Sequence, residues 1–482
     1  TRSSNFSDEK AAHRDAIMNA ITARCRDTES KVRKAAFDCL VRVGDYYYTR
    51  IGPYLESLAG LTSGTALAEE SDMAVSAIEF WTALAEEERG LASDAPTNQH
   101  YITTYLAPLV NMLTTLMTRV SEGLGENDYT TAQAAAVCLS TVTEAAGDAV
   151  LPLVMAFVNE NFAHESAQVR DATTLAFGCV LEGVSKETLT PYLHGALPVM
   201  LGRIAGPTRD PSALVRDSAT WTLATMVRLH FDVLDKSQFE ALLNAAEAAL
   251  DDEARVATNA AMLLEAVAIN MSEFEDAGRT PLSDRFAAIM THLLTRADMD
   301  DYHECKLQVS CYSAAGAMVE HCADAEHVFL HELLAKLVPR LEGAMSMSPA
   351  TPDERLLQTA RVVTSAGLVH AIAQALGEEM DKYAEYLVGL LVALYDMNIG
   401  VAGEEAINVI AALAGALDAK FAPFLPAVMP KVLHALSLIG ETDTIHMAVV
   451  AAGDIVRATG PASTPYIFDI VSLVTAALGS PD

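Results

Sequence analysis

Apolar residues recur at steps of three and four along almost the whole chain. One stretch reads Val169, Ala172, Ala176, Cys179 and Val180, and the next reads Val215, Ala219, Leu223, Met226 and Val227. Such spacing places one apolar stripe on one side of a helix. The two stretches are also copies. Gln168-Val169-Arg170-Asp171-Ala172-Thr173-Thr174-Leu175-Ala176-Phe177-Gly178 and Leu214-Val215-Arg216-Asp217-Ser218-Ala219-Thr220-Trp221-Thr222-Leu223-Ala224 share a Val-Arg-Asp triplet, 46 residues apart (Val169 to Val215). An all-helical period in this range predicts stacked helix pairs of the HEAT or armadillo kind. Each helix then has one face for burial, and the opposite face is free to bind.

The same grammar extends in both directions. A first hairpin is predicted from about Asp8 to Asp45, with Lys31-Val32-Arg33-Lys34-Ala35-Ala36 repeating the Val-Arg step; a second pairs Ile51 to Leu61 with Met73 to Glu88, followed by a polar loop from Arg89 to Gln99. Leu106-Ala107-Pro108-Leu109-Val110, Val150-Leu151-Pro152-Leu153-Val154 and Ala196-Leu197-Pro198-Val199-Met200 place prolines 44 and 46 residues apart, which predicts a repeated outer helix kinked by proline. Ser121 to Thr131 reads as an acidic, glycine-bearing loop before a helix from Gln133 to Ala146. Later pairs are Ser237 to Leu250 with Ala254 to Asn270, Asp284 to Ala297 with Cys305 to Cys322, and His327 to Ala344 with Arg355 to Leu376, the last across a Ser/Pro-rich loop from Ser346 to Pro352. Gly377, Gly415 and Gly460 are each followed six residues later by an aromatic ring (Tyr383, Phe421, Tyr466), which reads as a helix-to-helix joint. The expectation is one continuous all-α HEAT-repeat array over 1–482, a right-handed superhelical solenoid of about ten to eleven hairpins. The first residue is Thr1 and the last repeat looks incomplete, so terminal repeats of a longer solenoid are expected to be missing.

Composition narrows the function. Apolar residues are 51% of the chain and aromatics 6%, so the core must be built from Ala, Leu, Val and Met. Lys and Arg number 32 against 64 Asp and Glu, a formal charge of −32. That field repels nucleic acid and anionic membrane and speeds encounter with basic partners. Seven cysteines without a C-x-x-C pair (Cys25, Cys39, Cys138, Cys179, Cys305, Cys311, Cys322) read as reduced thiols. No run of 18 apolar residues lacks a polar interruption, so no membrane insertion is expected.

Catalytic motifs are missing. His327 and His331 lie one turn apart, yet the H-E-x-x-H order is absent and two ligands do not complete a tetrahedral shell, so no metal and no cofactor is expected. What stands out is acidic and aromatic. Ile78-Glu79-Phe80-Trp81 is followed by Glu86-Glu87-Glu88, which puts Glu79, Glu86 and Glu87 on or near one helix face, two turns apart. Carboxylates in such a row could grip Lys and Arg of a basic helix, with aromatics packing the aliphatic stems; alternatively they are a solvated helix end with Trp81 in the core. Trp221 follows Asp217 by one turn. Asn259 is a polar residue inside a helix, bonded to a loop or facing a partner.

At these residues the chain resembles the importin-β family of nuclear import receptors. The resemblance rests on Ile78-Glu79-Phe80-Trp81 with its glutamates, Ala176-Phe177-Gly178-Cys179-Val180-Leu181-Glu182-Gly183, Val215-Arg216-Asp217-Ser218-Ala219-Thr220-Trp221-Thr222 and Arg255-Val256-Ala257-Thr258-Asn259, and is clear from about Ile17 to Asn270. It implies a HEAT superhelix that binds the basic importin-β-binding helix of importin-α, or basic cargo signals directly, releases them to Ran carrying GTP, and crosses the pore on phenylalanine-glycine nucleoporins. It further implies that Glu79, Trp81, Glu86 and Glu87 line the inner cargo surface, with Asp217, Trp221 and Asn259 further along it. Tyr129 stands where the family has Trp, and Met262 replaces another inner aromatic. Glu122, Glu126 and Asp128 occupy the place of the family's acidic loop. Ala16 and Ile17 match its nucleoporin pocket, with the ring of the Phe-Ile pair lost. The expected protein is then a monomeric, non-enzymatic receptor segment moving between cytoplasm and nucleus through the nuclear pore. The alternative from another class is a static HEAT scaffold, such as a phosphatase regulatory or coat-adaptor subunit.

Overall fold

The apolar stripes pair up as helical hairpins. The computed structural model describes residues 11–68, 72–92, 94–119, 129–271, 278–298, 305–397, 399, 401–438 and 442–478. A first compact unit, Thr1–Ala245, pairs α1 (Ala11–Arg24) with α2 (Ser30–Tyr47) and α3 (Leu55–Ala68) with α4 (Asp72–Arg89). A single turn, α5 (Tyr101–Thr104), then leads into α6 (Leu106–Met117), which pairs with α7 (Thr131–Ala146). Next come α8 (Leu151–Asn161) with α9 (Ala167–Gly178), and α10 (Lys186–Ile204) with α11 (Ala213–His230). The helix α12 (Lys236–Leu250) runs through the unit boundary. The second unit, Ala246–Asp482, holds α13 (Ala254–Met271), then α14 (Phe286–Ala297) with α15 (Cys305–Glu320), α16 (His327–Met345) with α17 (Pro352–Leu376), α18 (Asp381–Asp396) with α19 (Ala402–Leu417), α20 (Leu425–Leu436) with α21 (Thr442–Thr459), and finally α22 (Thr464–Leu478). Among the described residues there is no strand.

Second helices stack on second helices. In the first unit α2 packs on α4, α4 on α7 and α9 on α11; in the second, α13, α15, α17, α19 and α21 follow one another in a row. The core between the rows is aliphatic, as the composition requires, with Leu40, Leu84, Leu139, Leu223, Leu264 and Ile410 fully buried.

Each Val-Arg arginine has a structural task that its sequence position did not disclose. Arg33 Nη1 donates to the carbonyls of Asp27 (3.0 Å) and Thr28 (3.2 Å), Arg170 Nη1 to those of His164 (2.9 Å) and Glu165 (2.8 Å), and Arg216 Nη1 to those of Asp210 (3.0 Å) and Pro211 (3.1 Å). The acceptors lie six and five residues upstream every time. They are the carbonyls of the hairpin turn, which helix hydrogen bonds cannot satisfy. A second set of arginines joins neighbouring hairpins at the ends of the first helices. Arg119 reaches the carbonyls of Ala66 and Leu67 at the end of α3. Arg203 reaches that of Phe162 after α8 (2.7 Å) and stacks 4.1 Å above the Phe162 ring. Arg296 reaches that of Asp252 after α12 (3.2 Å). A cation at a helix C-terminus also meets the negative end of the helix dipole.

Two expectations about special residues are corrected. Pro108 and Pro152 do not kink a helix interior: they are the third and second residues of α6 and α8, where the backbone N–H has no intrahelical partner to lose. Of the three motif prolines only Pro198 lies inside a helix, α10. Gly415 is not a joint either, since it lies within α19; the joint is Asp418. The backbone there has φ 49° and ψ −130°, nearly the geometry of Gly377 (50°, −128°) and Gly147 (61°, −142°).

These joints also decide how the apolar stretches are used. Averaged over 18 residues, Thr131–Asn161, Pro352–Asp396, Ala402–Leu436 and Asp443–Leu478 are long and apolar enough to cross a membrane. This corrects the sequence expectation, because many alanines and few charges raise the mean even without an unbroken apolar run. Each stretch is nonetheless two helices meeting at a positive-φ residue: Gly147, Gly377, Asp418 and Gly460.

Two predictions follow from this geometry. Asp418 is the one non-glycine among the four joints, in a region of backbone space that side chains avoid. Asp418→Gly is expected to stabilise the second unit by about 1 kcal/mol, after the added freedom of the unfolded glycine is subtracted, measured as a higher denaturation midpoint. At the α10–α11 turn, Arg170 of α9 holds Asp210 by two hydrogen bonds of 2.8 Å. Burial pushes the Asp210 carboxyl up, but the Arg170 bonds, the Ser212 N–H and the Arg170 and Arg203 charges outweigh it and hold it below its ordinary value. A lowered folded pKa gives stability that is complete above the ordinary Asp value near 4 and is lost as pH falls through the folded one. Hydrogen exchange around this turn should accelerate in that acid window, and Asp210→Asn should remove the pH dependence.

Candidate acidic face of the second-helix row

An acidic surface of the first unit is built on α2, α4 and α7. Glu79 and Glu86 are exposed on α4, seven residues apart and hence on one side, and Glu87 is half-buried beside them. Across the helix contact, Asp45 on α2 feels them: burial and then the Glu86 charge push its carboxyl up. On the other side Tyr129, 53% exposed just before α7, has its phenol pushed up by partial burial and then by Glu79. Cys138 on α7 is pushed up to about 12, by burial first and with Glu86 contributing. Asp45, Tyr129 and Cys138 thus each have an α4 carboxylate among their neighbours, with burial the larger cause of each shift. Arg89 supplies one local counter-charge, bonding Glu144 at 2.7 Å.

Glu88 belongs to the interior, although the sequence presents it as a third member of the glutamate run. It is 4% exposed and accepts from the Tyr48 hydroxyl (2.7 Å) and from the backbone N–H groups of Tyr101 and Ile102. A carboxylate at the start of α5 satisfies donors that the short helix cannot. The signal available beforehand was its position nine residues after Glu79, about a half-turn round to the apolar side.

Trp81 requires a correction as a surface contact. It is 1% exposed, its Nε1 donates to Thr62 Oγ1 (3.0 Å), and its ring meets Phe80 and Tyr105. The indole finds both an apolar slot and an acceptor inside, so nothing draws it out.

Further along the row, Trp221 is half-buried on α11. The place for its ring is made by a glycine: a Cβ on Gly178 would lie 2.2 Å from Trp221 Cζ3 and 2.8 Å from Thr222 Oγ1. Gly183 does the same on the other side, where a Cβ would stand 2.5 Å from the backbone of Thr143 and Glu144 on α7. The two glycines of the Phe177–Gly183 string are thus the points where neighbouring helices touch backbone. Asp171 accepts from the Ser218 hydroxyl, and Asp217 is half-buried and already engaged. In the second unit Asn259 is half-buried and engaged, while Met262 is 41% exposed. On α1, Ala16 is exposed and Ile17 half-buried. Glu122, Glu126 and Asp128 lie outside the described residues.

His331 Nε2 and His327 Nδ1 both approach Glu379, at 2.8 Å and 3.6 Å, but Lys382 Nζ stands 3.4 Å from the same His331 nitrogen. Among the described residues no group of three or more His, Cys, Asp or Glu could hold a metal ion. Cys25, Cys39, Cys138, Cys179 and Cys311 are free thiols, all but Cys39 buried.

Comparison with known proteins now gives the family. Residues 241–482 match the profile described as importin subunit beta-1-like, TPR repeats, and residues 17–47 match the HEAT repeat. The chain belongs to the importin-β family. Importin subunit beta-1 of Arabidopsis thaliana is 28% identical over 499 residues, covering 99% of this chain and 56% of that protein. The Schizosaccharomyces pombe protein of the same name is 25% identical with the same coverage. The chain therefore spans somewhat over half the length of the importin-β relatives it matches. Among solved structures, the Kap95:Nup1 complex superimposes with a TM-score of 0.84 at 23% identity, over 98% of this chain and 55% of that one. Kap95p solved with RanGDP gives 0.78 at 23% identity, over 98% and 56%. These likenesses establish the HEAT-repeat solenoid fold. The family is one of non-enzymatic receptors, in keeping with a chain whose conspicuous surface is a charged helix row.

Gly178→Ala tests the packing of this face directly. Trp221 should be displaced outward, so that acrylamide quenching of tryptophan emission rises while Trp81 stays shielded. Unchanged quenching would mean the ring does not rest on Gly178.

Proposed function

We propose that this importin-β family chain is a segment of a nuclear transport receptor, and that the acidic row on α2, α4 and α7 receives a basic partner: the importin-β-binding helix of importin-α or a basic cargo signal. One observation carries this reading, namely that Glu79 and Glu86 stand exposed on one side of α4 with Glu87 beside them, and Asp45 of α2 lies near enough to feel the Glu86 charge. A Lys- or Arg-rich helix pairs with these carboxylates, and its long stems have Tyr129 to pack against. Glu87 extends the row, with Asp217 and Trp221 as later contacts on the same unit. Asn259 and Met262 are the corresponding contacts of the second unit, Met262 offering a flexible apolar side chain where a ring would be rigid. Trp81 serves from within, holding α4 in place.

Ran carrying GTP is the proposed releasing partner, and phenylalanine-glycine nucleoporins the proposed pore contacts, the latter at the Ala16 and Ile17 edge of α1. The fold neighbour Kap95 has been solved with Nup1 and with RanGDP, which supports both partner classes for this chain. The place of action is then the cytoplasm, the nucleus and the pore between them. Solenoids suit binding and release because small rotations at each repeat joint add along the array.

Titration of the basic N-terminal helix of importin-α into the protein at low salt is the test. Binding that weakens as salt rises is expected, and combined Glu79→Lys, Glu86→Lys and Glu87→Lys should weaken it at least about tenfold, mainly through slower association. Absence of binding at low salt refutes the proposal. A static scaffold would instead ignore Ran and phenylalanine-glycine peptides in pull-downs.

A further inference from the structure

The loop between α16 and α17 carries a motif that transport does not use. Ser346-Met347-Ser348-Pro349-Ala350-Thr351-Pro352 contains two hydroxyl residues followed directly by proline. Six such dipeptides occur in the chain, at Thr190, Thr280, Ser348, Thr351, Thr464 and Ser480; the last lies outside the described residues. The fold separates the other five sharply.

Four of these hydroxyls are already employed. Thr190 lies within α10 and donates to the Lys186 carbonyl at 2.7 Å. Thr280 is 9% exposed and accepts from the Leu282 N–H at 3.2 Å. Thr464 begins α22 and donates to the Pro461 carbonyl at 2.7 Å. Thr351 is the N-cap of α17, where it accepts from the Glu354 N–H at 3.2 Å while Glu354 Oε2 accepts from the Ala350 N–H at 2.6 Å. Modifying Thr351 would dismantle this reciprocal cap and set a dianion against Asp353 and Glu354.

Ser348 differs from all four. It is exposed, it sits in the non-helical stretch Met347–Ala350, and its hydroxyl makes no hydrogen bond among the described residues. The stretch is also anchored on both flanks. Gln358 Nε2 donates to the carbonyls of Ala344 and Met347, each at 3.1 Å, and the Thr351 cap holds the other end. A short exposed segment between two fixed points is what an enzyme can engage without unfolding a helix.

We propose that Ser348 is a phosphorylation site for a proline-directed serine/threonine kinase, and that Thr351 beside it is not. In the transfer, Ser348 Oγ attacks the γ-phosphorus of a nucleoside triphosphate. The new Oγ–P bond forms as the bond to the nucleoside diphosphate oxygen breaks, and the hydroxyl proton passes to the kinase's base. The product adds about −1.5 to −2 charges to the loop without disturbing the α17 cap.

The test incubates the whole folded chain with a proline-directed kinase and ATP, followed by phosphopeptide mapping. Ser348 should be modified at least about tenfold faster than Thr190, Thr280, Thr351 and Thr464, and Ser348→Ala should remove the main phosphopeptide. In the denatured chain the preference should collapse, because the fold creates it. The proposal is overturned if native Ser348 stays unmodified while a free peptide spanning 344–356 is phosphorylated, or if Thr351 is modified as fast as Ser348 in the folded chain.

Discussion

A guanidinium bonded to the backbone carbonyls of a turn is the contact on which the array depends. Helix pairs leave their last carbonyls and turn carbonyls unpaired, and an aliphatic core offers nothing to bond them. Arg33, Arg170 and Arg216 answer this within a hairpin, each reaching the same two upstream positions, while Arg119, Arg203 and Arg296 answer it between hairpins. Glu79 and Glu86 stand exposed on α4 apart from these joints.

Burial then sorts residues that look alike in sequence. Of three successive glutamates, Glu86 is exposed, Glu87 half-buried and Glu88 locked against Tyr48 and the start of α5. Of two tryptophans, Trp81 is consumed by the core and Trp221 rests partly exposed on Gly178. Each outcome follows from a 100° step per residue and from whether an acceptor such as Thr62 Oγ1 waits inside.

Glycine shows the same division of labour. Gly178 and Gly183 are needed for close approach of helices, Gly147, Gly377 and Gly460 for a backbone turn between them, and Gly415 for neither. Asp418 carries a turn that glycine carries elsewhere. A pattern of glycine followed by an aromatic cannot distinguish these uses, since it records spacing and not φ.

What the sequence determined by itself was everything that periodicity carries. The stripe spacing and the repeat of Val-Arg-Asp specify helix pairs, their order and their family, because burial of an apolar face is a local arithmetic of three and four residues. The strings at Ile78–Trp81, Phe177–Gly183 and Val215–Thr222 also pointed to the α4 glutamates. Only the tertiary structure decided which arginines clamp turns, that Pro108 and Pro152 start helices, that Trp81 and Glu88 are interior, and that Ser348 alone among the described hydroxyl-proline pairs is unengaged. The clamps and the two interior side chains depend on partners elsewhere in the chain, Thr62 for Trp81 and Tyr48 for Glu88 among them, and Ser348 is set apart by having none among the described residues, which no local pattern encodes.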